Sequence, residues 1–451
     1  MTLRGLSKAS IVIAVFISIV ALIALIAWLG DLAAVPRLRI FGQESVEYFL
    51  SFKQEGFSKP AYFADMKPGN AWDYYAPMIA LVESVETDRR LLTDFLNGAD
   101  PDSGRAAALV IEADSVLKLL KEGARRQTAV APLDYENGLN VVLPNYMALM
   151  SASQLLACRA RLRLRSDPEG AVDDVMSGLV FAGDVAGGDL TLIGYMVGAV
   201  CLATCRKQIE EALTELDAGE LENLARDILM LADEWPLHSR NLEAEHRMAS
   251  ISLSRIGLDE YGMMGLPTFK RFPKEFLGWW VYHLLSWRQG FSFRRTQLGA
   301  ISSGMRMVSD LALAERNGWE AEREKAEEWG SRSSRTANWL VRLSAPNFAG
   351  MHRRRYEAVA GAKLAGAGAL LQIYHRQNGH WPDALRQAEL DGLEDLFIDP
   401  ITGEEFRYLV HPGGDSVCVY SVGTDLEDDG GVREIETADL VLVLHPPSQP
   451  R

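Results

Sequence analysis

What the chain lacks most plainly is an excess of basic residues. Its 46 Lys and Arg are outnumbered by 61 Asp and Glu, for a formal net charge of −15. No surplus of cations remains to neutralise the phosphates of a nucleic acid, so that class of partner is excluded. Cysteine is sparse too. Cys158, Cys201, Cys205 and Cys418 are too few to staple a scaffold of this length with disulfides. The motifs of familiar chemistry are missing: there is no P-loop, no dinucleotide fingerprint after a strand, no HExxH and no GxSxG. With no catalytic residue to nominate, the chain is not expected to be an enzyme.

Charge is wholly absent from one stretch. Ala9 to Leu29 reads ASIVIAVFISIVALIALIAWL, without an ionisable residue or a proline. At about 1.5 Å per residue, a helix of this length spans the hydrocarbon core of a bilayer, about 30 Å. Arg4 and Lys8 precede it, Trp28 stands where an interfacial aromatic belongs, and Arg37 and Arg39 follow. A buried soluble helix would carry a polar face, and this run has none. A cleaved signal peptide would have an apolar core of about 7–15 residues and a small-x-small site, whereas GDLAAVPRL after this run is a poor cleavage site. The expectation is an uncleaved anchor that meets the lipid bilayer through residues 9–29, with the N-terminus inside. A pilin-type leader is absent, because Gly5 leads into LSKASIV with no Glu in the span.

Beyond the apolar run, the composition is that of a globular body: 48% of the chain is hydrophobic and 24% charged. The dominant period there is helical. We divide the chain into an anchor and linker over 1–41, a helical body over 42–355 and a C-terminal segment over 356–451. In the body, Asn145 to Arg165 reads as one helix with Arg159, Arg161, Arg163 and Arg165 on its exposed side. SDPEG breaks it, and Ala171 to Ala182 forms the next. This pair is similar to one tetratricopeptide-type hairpin, with Ala157 and Ala160 at the close contact, but no second copy occurs at a period of about 34 residues. Leu190 to Leu213 is a further helix with Ile193, Val197, Val200 and Thr204 along one side. Asp217 and Glu220 form a capping box before the stripe Leu221, Leu224, Ile228 and Leu231, and Asn241 to Ile256 is again helical. Consecutive amphipathic helices with short turns imply an α-hairpin array, which offers a surface to a protein partner.

Lys270 to Arg295 interleaves aromatics with basic residues, which suits either a membrane interface or an aromatic core helix. Glu315 to Trp329 is charge-dense and reads as a solvated face, and the basic run His352 to Arg355 as solvated or facing phosphate headgroups. Glu243 and His246 have the spacing that di-iron bundles use, without the second copy such a site needs, so a salt bridge or cap is expected. With Glu245 they are the residues an envelope enzyme would use. Cys201 and Cys205 share a helical face, and with no further Cys or His at ligand spacing they read as buried small residues.

The C-terminal segment changes character. Tyr356 to His375 is an Ala/Gly-rich helix ended by Asn378-Gly379. DPITGEEF leads into alternating EFRYLV, SVCVYSV is a second strand and Ala438 to Leu444 a third, giving a small antiparallel sheet behind one helix. Here a resemblance enters. Tyr374…Asn378-Gly379-His380-Trp381-Pro382, the Asp399-Pro400-Ile401-Thr402-Gly403 turn and Tyr420-Ser421-Val422-Gly423-Thr424-Asp425 with its acidic loop resemble, in that order, the C-terminal half of type II secretion pseudopilins. The resemblance covers about the last 80 residues. It implies Ca²⁺ in the acidic loop, with Asp425, Glu427, Asp428 and Asp429 as the matching positions. Calcium chemistry agrees, since a flexible Asp/Glu/Gly loop can supply the six to eight oxygens the ion wants. A solvated acidic turn is the alternative.

The expected architecture is therefore mainly α: an N-terminal transmembrane helix, an α-hairpin array, and a small C-terminal α+β segment with a three-stranded antiparallel sheet. The expected role is a scaffold or protein-interaction module, anchored by a single pass in a bacterial inner membrane with its bulk in the periplasm. The alternatives are an accessory component of a secretion or pseudopilus-like assembly and a membrane-tethered envelope enzyme.

Overall fold

The computed structural model describes residues 8–84, 88–98, 103–255, 286, 292–338, 340–341, 349–432 and 439–446. Most of the aromatic and basic stretch Lys270 to Arg295 lies outside them. Among the described residues are thirteen α-helices and two three-stranded sheets, so the fold is mainly α, as expected.

Helix α1 (Lys8–Glu55) carries the apolar run and continues well beyond it, through Pro36. It is long and apolar enough to cross a membrane. Val15, Phe16, Ile17, Ile19, Leu22 and Leu25 are exposed, whereas Ala27, Asp31, Ala34, Leu38, Ser45, Phe49 and Phe52 are buried. The buried positions recur every three to four residues, as one face of a helix must. The boundary placed at position 41 thus falls inside an unbroken helix whose second half belongs to the body.

Next come β1 (Phe57–Ser58), β2 (Lys67–Asn70) and the helices α2 (Trp72–Ser84), α3 (Arg89–Leu96), α4 (Ser103–Glu112) and α5 (Asp114–Ala124), then β3 (Arg126–Ala129). The sheet order is β1-β3-β2, with β1 antiparallel and β2 parallel to β3. Strands of two to four residues are too short to show an alternating pattern, so this sheet left no trace in the sequence.

The centre of the molecule is α6 (Tyr146–Arg163), α7 (Pro168–Gly188) and α8 (Leu192–Ala212), with α9 (Ala218–Asp233) and α10 (His238–Arg255) next in the chain. Side-chain caps open the central three. Asn145 accepts from the Met147 and Ala148 amides, Asp167 from Gly170, and Thr191 from Gly194. The Asp217–Glu220 capping box forms as expected, and the stripe Leu221, Leu224, Ile228 and Leu231 is buried. Two expectations are corrected. On α8, Ile193 and Val200 are exposed, and the buried side runs through Tyr195, Gly198, Cys201, Leu202 and Cys205. On α6, Arg159, Arg161 and Arg163 are not a solvated ladder. Arg159 and Arg163 turn onto the fully buried Asp174 of α7, joined by Lys121 at 2.8 Å, while Arg161 donates to the Phe95 and Leu96 carbonyls. A buried carboxylate needs such partners, and a few residues of local sequence cannot reveal one.

The chain resumes with α11 (Phe293–Glu315), α12 (Trp319–Arg335) and α13 (Ala349–Asn378). The last packs its small-residue face onto α8, α9 and the second sheet. A Cβ at Gly366 would sit 2.6 Å from Leu396 Cδ2, and one at Gly368 would sit 2.7 Å from Leu442 Cδ2 and 2.8 Å from Leu213 Cδ1. Gly379, at φ 77°, closes the helix by donating to His375 O. The second sheet is antiparallel with order β4 (Arg407–Val410), β5 (Val417–Ser421) and β6 (Leu440–Leu444). Buried Asp399 ties its entry turn to β5, accepting from Ser421 Oγ at 2.7 Å and Ile401 N at 2.8 Å. Continuous helix runs across both expected domain boundaries, 41/42 and 355/356, and one hydrophobic core from Phe49 on α1 to Leu444 on β6 spans the second of them.

Candidate functional site

Among the described residues, a dense group of buried ionisable side chains lies where four helix ends meet. His238 opens α10, Glu315 is the last residue of α11, Glu322 sits in the first turns of α12, and His352 and Arg355 in those of α13. Gly318, at φ 96°, makes the reversal that brings α12 back beside α11, a backbone conformation that side-chain-bearing residues rarely adopt. On sequence alone, Glu315 to Trp329 and His352 to Arg355 read as solvated. Arg353 and Arg354 are indeed exposed and pair with Glu357. Glu315, Glu322 and His352 are not: each is buried, and the two glutamate side chains have no exposed surface.

The imidazole of His238 stands between two carboxylates, with Nδ1 2.7 Å from Glu315 Oε1 and Nε2 2.8 Å from Glu322 Oε1. Glu315 also accepts the His238 and Ser239 amides, so it caps a helix remote from its own. Arg355 Nε approaches the same carboxylate at 3.1 Å. Burial alone would lower the His238 pKa, but the two glutamates overcome it and raise it to about 9. Glu315 shows the converse: burial opposes its charge, and His238 and Arg355 hold it down at about 2. His352 Nδ1 lies 3.7 Å from Glu322 Oε1, and burial keeps this second imidazole below its usual range. Trp319 packs against His352 and Tyr356, at centroid distances of 5.7 and 5.3 Å. One ligand atom from each of His238, Glu322 and His352 falls within 4.8 Å of the others.

A second buried site joins the first sheet to α7. Lys59 Nζ lies 2.8 Å from Asp184 Oδ2, which also accepts from the Tyr75 hydroxyl at 2.6 Å, and both Lys59 and Asp184 are out of contact with solvent. Burial raises the Asp184 pKa to about 6, countered in part by Lys59.

The residues singled out in the sequence fall elsewhere. Asp425, Glu427, Asp428 and Asp429 are exposed on the loop after β5. Asp428 Oδ1 accepts from Tyr420 Oη at 3.0 Å and Gly430 N at 2.9 Å, and Asp425 accepts from Glu427 N at 3.2 Å. Leu426 takes a left-handed conformation between them, at φ 63°. Glu243, Glu245 and His246 each have their own partner: Arg247 at 2.6 Å, the Leu192 backbone, and the Ile301 carbonyl at 2.9 Å. Cys201 and Cys205 are buried beside Ser153, with their thiols pushed up by burial, as small core residues would be.

In comparison with known proteins, no family model matches the chain, and no curated protein or solved structure matches it significantly. What it does must be argued from its own geometry.

Proposed function

We propose that this chain is a single-pass membrane-anchored scaffold of the bacterial envelope, with its bulk in the periplasm, which presents its helical body to a protein partner. The observation that carries the reading is the division of α1: Val15 to Leu25 leave their apolar side chains outward, and from Ala27 onward one face of the same helix is built into the core. An apolar run of this kind suits lipid, not water. Because α1 runs from anchor into body as one continuous helix, the body is held close to the bilayer surface, which favours positioning a partner. Arg4 and Lys8 ahead of the run support an inside N-terminus. A groove between α8 and α13, lined by Ala199, Val200, Ala203, Lys207, Arg354 and Glu357, offers a partner both apolar and charged contacts. Calcium on Asp425, Glu427, Asp428 and Asp429 would stiffen the acidic loop of the C-terminal sheet.

The test is fractionation of cells making the full chain, protease digestion of intact spheroplasts, and photo-crosslinking from a probe at Val200. We expect recovery with the inner membrane, digestion of the body from outside, and a discrete crosslinked adduct. A full-length product free in the cytosol overturns the reading.

A second reading, an accessory component of a pseudopilus-like assembly, draws support from α13 and the antiparallel β4-β5-β6 sheet after it, with its acidic loop before β6. Co-purification of secretion components from detergent extracts would favour it.

A further inference from the structure

We infer that His238, Glu322 and His352 form a binding site for a zinc-class divalent metal ion, which locks the ends of α10, α12 and α13 together, with Glu315 orienting His238 from behind. The donor set comes first. Two imidazoles and one carboxylate are the ligands that Zn²⁺ and its first-row neighbours take, whereas Ca²⁺ wants an all-oxygen cage. Spacing comes second. With bonds of about 2.0–2.1 Å, the edge between two ligand atoms of a tetrahedral site is about 3.3 Å. The Nε2–Oε1 and Nδ1–Oε1 separations of 2.8 and 3.7 Å bracket that edge, and the third ligand pair is within 4.8 Å.

Glu322 supplies an independent observation. It is fully buried, and neither of its oxygens receives a hydrogen bond of acceptable geometry from any described residue, although His238 Nε2 is only 2.8 Å away. A buried carboxylate in that state is costly as a member of a purely protonic network. Once Nε2 gives up its proton, this nitrogen and the carboxylate oxygen 2.8 Å away can serve as two ligands of one ion. The support behind the ligands fits as well. Metal-bound histidines commonly pass their other ring nitrogen to a carboxylate, and His238 Nδ1 meets Glu315 at 2.7 Å while Arg355 and two backbone amides hold Glu315 in place. The walls are Tyr195, Trp319 and Tyr356, all buried. Since the ligands come from helix ends far apart in the chain, the ion would act as a structural clasp.

The full-length protein, purified in detergent without chelator, should carry about one equivalent of zinc. After chelation, Co²⁺ should restore one equivalent and give the strong visible absorption of a low-coordinate nitrogen and oxygen site. Ca²⁺ should not compete for it. His352→Gln and Glu322→Gln should each lose at least tenfold of the retained metal, and Glu315→Gln should weaken affinity by about 10–100-fold while keeping the Co²⁺ spectrum. Wild-type protein that neither retains nor takes up either metal overturns the inference, as does unchanged retention in both ligand variants. Should both variants fail to fold, X-ray absorption on the zinc-loaded wild type decides: two imidazoles in the first shell support the site, and fewer than two overturn it.

Discussion

The Ser292 hydroxyl donates to Asp31 Oδ1 at 2.7 Å across 261 positions of sequence, and the Arg294 amide donates to the same oxygen at 3.0 Å. Asp31 lies two residues beyond the apolar run on α1, and Ser292 caps α11 through the Arg295 amide. A carboxylate just past the apolar run therefore serves the first turn of a helix deep in the body. Asp31→Ala removes that service, and loss of a side-chain cap costs about 0.5–2 kcal/mol. We expect a matching drop in the unfolding free energy of the detergent-solubilised chain, with membrane recovery unchanged.

Asp174 gathers Lys121, Arg159 and Arg163 around a carboxylate with no exposed surface. Removing one member of a buried charge network leaves the others uncompensated, at a cost of about 3–5 kcal/mol. Asp174→Ala should lower stability by that order. Arg165→Ala, just past the end of α6 and exposed, should change it by less than about 0.5 kcal/mol. Equal effects in urea titrations would refute the clamp.

Gly368 lets α13 approach both Leu213 and Leu442. Added volume in a filled core costs about 1–3 kcal/mol. Gly368→Val should lose stability within this range, and Gly330→Ala, where an added Cβ meets nothing within 4 Å, should not.

Asp184 gives a pH signature. Its folded pKa is raised to about 6 by burial, against about 3.9 in an unfolded chain. Between those values the native state holds a proton that the unfolded state has released. The stability this group contributes is therefore full below about pH 4 and is lost as pH rises through about 6. Urea unfolding of the wild type should show this fall superposed on the titration of other carboxylates. A Lys59→Met, Asp184→Asn double variant should lack it, and an identical pH slope in both proteins would count against the assignment.

The acidic loop carries its own test. If Asp425, Glu427, Asp428 and Asp429 hold Ca²⁺, saturation at 100 times the dissociation constant adds about 2.7 kcal/mol to stability. Alanine at Asp425, Asp428 and Asp429 together should abolish the calcium-dependent rise in melting temperature. No rise in the wild type would leave the loop a solvated turn.

Features written in neighbouring residues are legible without a structure. The Asp217–Glu220 box, the stripe from Leu221 to Leu231, the Gly379 stop and the strand over residues 417–421 each arise from a period, a cap or a β-favouring run spanning a few positions. The candidate metal centre is not legible, because its ligands come from positions 238, 322 and 352 and share no spacing rule. His352 sits inside a basic run and Glu322 inside a charge-dense helix, where solvation is the ordinary outcome. The arginines paired with Asp174 escape notice for the same reason: charge on a helix says nothing about what another helix will place opposite it.

By itself, then, the sequence determined the longer helices, the C-terminal strands and the apolar length of α1, since hydrogen-bond closure, capping and hydrophobic period are local properties of the chain. Tertiary structure alone decided which charges went inside. Burying Asp174, Asp184 and Glu315 is tolerable only once partners from other elements arrive, because an ionised group leaves water only when distant side chains replace its solvation.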